Sequence, residues 1–138
     1  MLWDLRPIGL TGSKAERICD IVGIIINKNA VSGDTSAHVP GGIRLGTAAL
    51  TSRNLKQEDI KKVAAFLDRA IQIALKVQKE AGHKLLKDFE RVALHGDGEG
   101  AKAVKVLRKE VRDFARQFPL PGVDLTNITK PEGIEEED

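Results

Sequence analysis

Apolar residues recur at helical spacing in four segments of the chain. After Thr11, a residue suited to an N-cap, one helix face is predicted from the i, i+3, i+4, i+7 positions Ala15, Ile18, Cys19 and Val22. The longest pattern is predicted to begin at Asn54, with Gln57 in a capping-box position, and to end at Ala81-Gly82. Its apolar stripe comprises Ile60, Val63, Ala64, Leu67, Ala70, Ile71 and Ala74. Two shorter helices are predicted on either side of the glycine-rich segment 95–100.

Three short segments have the character of strands. A strand is predicted over residues 2–5, ended by Arg6-Pro7, and Ile24-Ile25-Ile26 is a β-branched run too short for a helix and suited to a buried strand. A third strand is predicted over residues 40–47. The order strand, helix, strand, strand and then helices predicts an α+β fold, in which helices cover a small antiparallel or mixed sheet.

The third strand contains the first functional candidate, Arg44. Alternation places Ile43, Leu45 and Thr47 on one face, which we expect to be core, and Gly42, Arg44 and Gly46 on the other. A guanidinium between two residues without side chains has space around it, and its planar donors suit a carboxylate or phosphate. The alternative is that the glycines mark a close backbone approach and that Arg44 pairs with an acid of its own domain.

Composition narrows the class of protein. The chain has 138 residues, 41% hydrophobic and 30% charged, as expected for one globular domain, and it contains no apolar run long enough for a membrane span or a signal peptide. One cysteine and three widely separated histidines predict neither a disulfide nor a metal site. Five acids in the last eight residues leave 22 basic and 15 acidic residues in positions 1–130, a charge of +7. Few aromatic residues accompany this charge, which disfavours nucleic acid as a partner.

Four blocks of sequence together suggest a family. They are Asp4-Leu5-Arg6-Pro7 with Leu10-Thr11-Gly12; Asn27-Lys28-Asn29-Ala30-Val31; Pro40-Gly41-Gly42-Ile43-Arg44-Leu45-Gly46-Thr47; and Leu50-Thr51-Ser52-Arg53. In order and spacing they closely resemble the C-terminal part of serine hydroxymethyltransferase, and the resemblance extends to about Gly122.

This resemblance implies the small domain of an aminotransferase-like (fold-type I) enzyme. Such an enzyme uses pyridoxal phosphate to interconvert serine and glycine, transfers a one-carbon unit to tetrahydrofolate, and forms dimers or tetramers. By the family pattern, Arg44 matches the arginine that binds the carboxylate of the amino acid, and Asn29 matches an asparagine that helps to hold the folate.

The chain departs from the family in one important respect. The Thr-His-Lys segment that supplies the cofactor lysine has no counterpart, because the pair His83-Lys84 lies at a helix boundary without threonines. We therefore expect residues 1–122 to be the small domain without its large domain, residues 123–138 to be a disordered acidic tail, and the chain alone to be inactive. A cytoplasmic or mitochondrial location is expected. The alternatives are a different enzyme of this fold, such as an aminotransferase, and a non-enzymatic interaction module.

Overall fold

The computed structural model describes residues 1–36, 38–82 and 85–124. The strands are β1 (Leu2–Asp4), β2 (Asn27–Asn29) and β3 (Gly42–Arg44), and the α-helices are α1 (Gly12–Val22), α2 (Ala48–Ser52), α3 (Gln57–Ala81), α4 (Leu86–His95) and α5 (Glu99–Ala115). A 3-10 turn, Arg6–Ile8, follows β1. The strands form one antiparallel sheet in the order β1-β3-β2. This arrangement confirms the α+β prediction.

The second strand lies later in the chain than predicted. The run 24–26 connects α1 to β2, and Ile25 is 82% exposed. The helix ends at Gly23, which adopts a left-handed φ of 87°, and the next amide, that of Ile24, still bonds to the Cys19 carbonyl at 2.8 Å. Residues 27–29 form the strand because they are the ones that reach β3, with Lys28 opposite Ile43. Pairing with a partner strand therefore outweighed β-branched propensity.

The long helix begins three residues after the predicted cap. Asn54 has a left-handed φ of 67°, and its amide bonds to the Thr51 carbonyl, so it ends the turn that follows α2. The N-cap of α3 is Lys56, whose backbone N–H donates to the Asp59 carboxylate at 2.9 Å. The predicted end is confirmed, since Gly82 caps α3 with a φ of 63°.

The core lies between the sheet and the helices, with α1 in the middle. Its largest fully buried side chains are Leu5, Leu10, Ile18, Ile43, Ile71, Leu107 and Phe89. The predicted stripe of α3 is buried from Ala70 onward, whereas Ile60, Val63 and Leu67 are half-buried and Ala64 is exposed. Near this first half, the Phe66 and Phe114 rings meet edge to face with their centroids 5.5 Å apart.

Two predictions concern positions outside the described residues. These positions are 125–138, most of the predicted acidic tail, and the pair His83-Lys84. The boundary at residue 122 and the disorder of the tail remain predictions.

Candidate functional site

The two faces of the sheet have different environments. Paired residues of neighbouring strands lie on the same face, so Trp3, Ile43 and Lys28 share one face. Ile43 is fully buried there and Trp3 packs against the core. The opposite face, which we call the outer sheet face, carries Leu2, Asp4, Asn27, Asn29, Gly42 and Arg44. It therefore presents mainly polar side chains.

Arg44 is exposed on the outer sheet face, between Leu2 of β1 and Asn27 of β2. Its guanidinium forms no hydrogen bond or ion pair with any of the residues that the structure describes. A Cβ built on Gly46 would have no atom within 4 Å, so the space beyond Arg44 along the chain is open. The guanidinium can therefore bind an external anion without first breaking an ion pair with another described residue.

Gly42, on the other side of Arg44, does not border empty space as predicted. A Cβ at this position would lie 2.5 Å from Val31 Cγ1 and 2.6 Å from the Trp3 carbonyl oxygen. Close packing at position 42 leaves no room for a side chain, so Gly42 fits the interpretation of a close backbone approach. Gly46 fits the other interpretation, that of open space beside Arg44.

Asn29 lies on the same face as Arg44, at the end of β2. It pairs with Gly42 while Asn27 pairs with Arg44, so Asn29 and Arg44 are diagonal neighbours on the ladder. The half-buried Asn29 side chain donates from Nδ2 to the Ala30 carbonyl at 2.7 Å. This bond orients the amide and leaves its oxygen as an acceptor.

An ion-pair cluster beside these residues was not predicted. Arg6 contacts Asp4 through Nη2 at 2.7 Å and Asp34 through Nη1 at 3.2 Å. Hydrogen bonds from Arg6 lower the pKa of the Asp4 carboxyl, and the backbone amides of Gly41 and Val31 lower the pKa of the Asp34 carboxyl. The sequence signals were Arg6 in the first family block and Asp34 in a turn-rich loop, but neither signal showed that the two would meet.

A site for pyridoxal phosphate needs a free lysine amine, a partner for the pyridine nitrogen and donors for the phosphate. Lys14, which is 6% exposed, donates from Nζ to Gln78 at 2.8 Å and lies 5.7 Å from the Phe89 ring centroid, within the helical layer. Burial lowers its pKa, but the amine is already engaged. Lys28 pairs with Glu16 at 3.4 Å. Neither of these two lysines offers a free amine to the cofactor.

The described ranges contain neither a metal-binding cluster nor a membrane-spanning helix. Among residues 1–36, 38–82 and 85–124, no three His, Cys, Asp or Glu side chains lie close enough to hold a metal ion. None of the helices in these ranges has the length and apolar character needed to cross a bilayer.

Comparison with known proteins points to a single family. The family model for serine hydroxymethyltransferase matches residues 1–67. Serine hydroxymethyltransferase 4 of Arabidopsis thaliana is 45% identical over 128 residues, which are 93% of this chain and 26% of that protein. The Bombyx mori serine hydroxymethyltransferase is 48% identical over 89% of this chain and 26% of its own length. The cytosolic serine hydroxymethyltransferase of Oryctolagus cuniculus is 45% identical over 89% of this chain and 25% of its own length.

The chain thus spans about a quarter of the length of the relatives that it matches. These relatives include a protein named as chloroplastic and another named as cytosolic. The match runs through all four sequence blocks, and the two outer-face residues Asn29 and Arg44 lie within the segment that the family model covers. Over about nine tenths of its length the chain is thus similar to serine hydroxymethyltransferases.

Proposed function

We propose that this chain is the C-terminal small domain of a serine hydroxymethyltransferase. The complete enzyme would interconvert serine and glycine with pyridoxal phosphate and transfer the one-carbon unit to tetrahydrofolate. Similarity to serine hydroxymethyltransferases supports this activity. The role of this domain rests on Arg44, which has no partner among the described residues and lies on the outer sheet face.

In this proposal, Arg44 binds the α-carboxylate of serine or glycine. It lies in β3, the central strand, which is paired on both sides, so its backbone is held firmly while its side chain remains exposed. The planar guanidinium offers two parallel N–H groups to the two carboxylate oxygens. Arg44 would therefore fix the orientation of the amino acid.

Asn29 would help to bind the folate co-substrate. Its side chain is already oriented by Ala30, and its carboxamide oxygen can accept a hydrogen bond from an N–H group of the pterin ring. The diagonal placement of Asn29 and Arg44 would bring the two ligands to the same sheet face.

Pyridoxal phosphate would supply the electron sink for the reaction, and we assign its binding to residues other than those described here. The large domain and a second subunit of a homo-oligomer are the partners that this assignment requires. The domain itself would contribute the carboxylate clamp and one folate contact.

The test is Arg44→Lys in the full-length protein that contains this chain. An ammonium keeps the charge but cannot reproduce the bidentate contact, so the variant loses one charge-assisted hydrogen bond, worth about 1.5–3 kcal/mol. We therefore expect the KM for serine to rise at least about 10-fold. The matched control is Arg91→Lys, because Arg91 is 71% exposed on α4 and pairs only with Asp88, at 3.6 Å, among the described residues.

An unchanged affinity for serine in Arg44→Lys would refute the assignment. Folate binding by the full-length protein separates the proposal from its nearest alternative. An aminotransferase-like enzyme would also bind an amino-acid carboxylate through arginine, but it would have no specific affinity for tetrahydrofolate.

A further inference from the structure

A single carboxylate closes the loop between β2 and β3. Asp34 Oδ2 accepts the backbone N–H of Val31 at 2.9 Å and that of Gly41 at 2.8 Å. Val31 lies two residues after Asn29, and Gly41 lies three residues before Arg44. The Asp34 side chain therefore joins the two ends of the loop at the points where it leaves the candidate site.

The other oxygen of this carboxylate connects the loop to β1. Asp34 Oδ1 accepts from Arg6 Nη1 at 3.2 Å, and Arg6 Nη2 donates to the Ser32 carbonyl at 2.8 Å. Arg6 is itself held by Asp4, the last residue of β1, through Nε and Nη2 at 3.0 and 2.7 Å. The loop is thus fixed to the sheet through an arginine whose acceptors lie both in β1 and in the loop.

The packing around this contact leaves little freedom. The Asp34 side chain is 9% exposed. A Cβ on Gly41 would lie 2.7 Å from both Arg6 Cδ and Asp34 Oδ1, and the Gly41 carbonyl accepts from the Leu5 amide at 2.9 Å. The carboxylate and the Gly41 backbone consequently determine each other's position.

We propose that Asp34 is a positioning residue of the substrate site, which holds the end of β2 so that Asn29 stays in register with Arg44. This inference rests on the proposed function. Arg44 is in the central strand and is supported by pairing on both sides, whereas Asn29 is the last residue of an edge strand and continues directly into the loop. Loss of the Asp34 contacts therefore displaces Asn29 more than Arg44.

The experiment compares Asp34→Ala and Asp34→Asn in the full-length protein. Alanine removes both amide contacts and the ion pair. Asparagine keeps an oxygen for the two amides but turns an NH₂ group toward Arg6. Loss of the two amide contacts predicts a rise in the tetrahydrofolate Kd of at least about 10-fold for Asp34→Ala, with a smaller rise for Asp34→Asn.

The KM for serine should stay within about threefold in both variants, since β3 keeps its pairing. Asp20→Ala is the matched control, because Asp20 also pairs with an arginine at 2.7 Å, but on α1 and away from the outer sheet face. Hydrogen exchange of the segment 29–44 gives a second reading that does not depend on ligands. Exchange at Val31 and Gly41 should become faster in Asp34→Ala and remain unchanged in Asp20→Ala.

Unchanged folate binding in Asp34→Ala would overturn the inference, and so would an equal loss of serine and folate affinity with a lower melting temperature, which indicates general destabilisation. If the wild-type protein bound no folate, the proposed function would fail instead. Exchange at Val31 and Gly41 would then still decide whether Asp34 holds the loop.

Discussion

At the scale of single residues, the neighbours of Arg44 decide what it can do. Gly46 borders open space, whereas a side chain at Gly42 would collide with Val31 and the Trp3 carbonyl. The type and spacing of these residues are enough, in the sequence alone, to mark Arg44 as a candidate anion-binding residue. The roles of Asp34 and Arg6 could not be recognised in this way, because they are 28 residues apart in the chain and meet only after the loop has folded.

One prediction at this scale concerns Asn29. Asn29→Ala in the full-length protein removes the proposed pterin contact, so the tetrahydrofolate Kd should rise about 10-fold while the KM for serine changes by less than about threefold. Isothermal titration and steady-state kinetics measure the two quantities. Asn27→Ala is the control, since it removes the same amide from the opposite end of β2. A greater loss for serine than for folate would contradict the assignment.

At the scale of secondary-structure elements, contacts between segments set the boundaries. The apolar run 24–26 became a connector because β3 pairs with residues 27–29 instead. Arg53, which follows α2, provides a similar link with α5. Its Nη2 donates to the carbonyls of Ala115 and Phe118 at 2.7 and 3.0 Å, and its Nε donates to that of Pro119 at 3.1 Å.

We therefore expect Arg53→Ala to destabilise the end of α5. Carbonyls at a helix C-terminus lack intrahelical donors and interact favourably with a cation, so the loss should be about 1–2 kcal/mol. Hydrogen exchange of residues 112–118 measures the effect as faster exchange. Arg91→Ala should change the free energy of opening of this helix end by less than about 0.5 kcal/mol, because that exposed side chain makes a single long ion pair within the described ranges. Equal protection in both variants would show that Arg53 does not stabilise the helix end.

At the scale of the whole molecule, the chain combines a buried core with a polar sheet face and spans about a quarter of the length of its relatives. Arg44 is the residue that we propose for a carboxylate, and neither Lys14 nor Lys28 offers a free amine to pyridoxal phosphate. The half-buried apolar residues Ile60, Val63 and Leu67 of α3 show that burial of this helix within the chain is incomplete toward its N-terminal half.

These features predict that the isolated 138-residue chain, mixed with pyridoxal phosphate, retains no cofactor and does not convert serine. The measurement is the cofactor absorbance band after dialysis, followed by a serine-to-glycine assay. The full-length protein is the positive control and should keep both the band and the activity. A band that survives dialysis in the isolated chain would contradict the prediction and show that one of its own lysines reacts with the cofactor.

Local patterns of residues suffice for the class of fold, the burial of Ile43, the end of α3 and the resemblance to a family, but not for Thr47, which was predicted on the buried face and is exposed beyond β3. These properties follow from periodicity, from a glycine that can adopt a left-handed φ, and from motifs that are continuous in the chain. Contacts between distant segments were needed for the position of β2, the start of α3, the asymmetry between Gly42 and Gly46, and the closure of the loop by Asp34. Each of these depends on which partner the folded chain brings within bonding distance, and a local pattern of residues does not specify that partner.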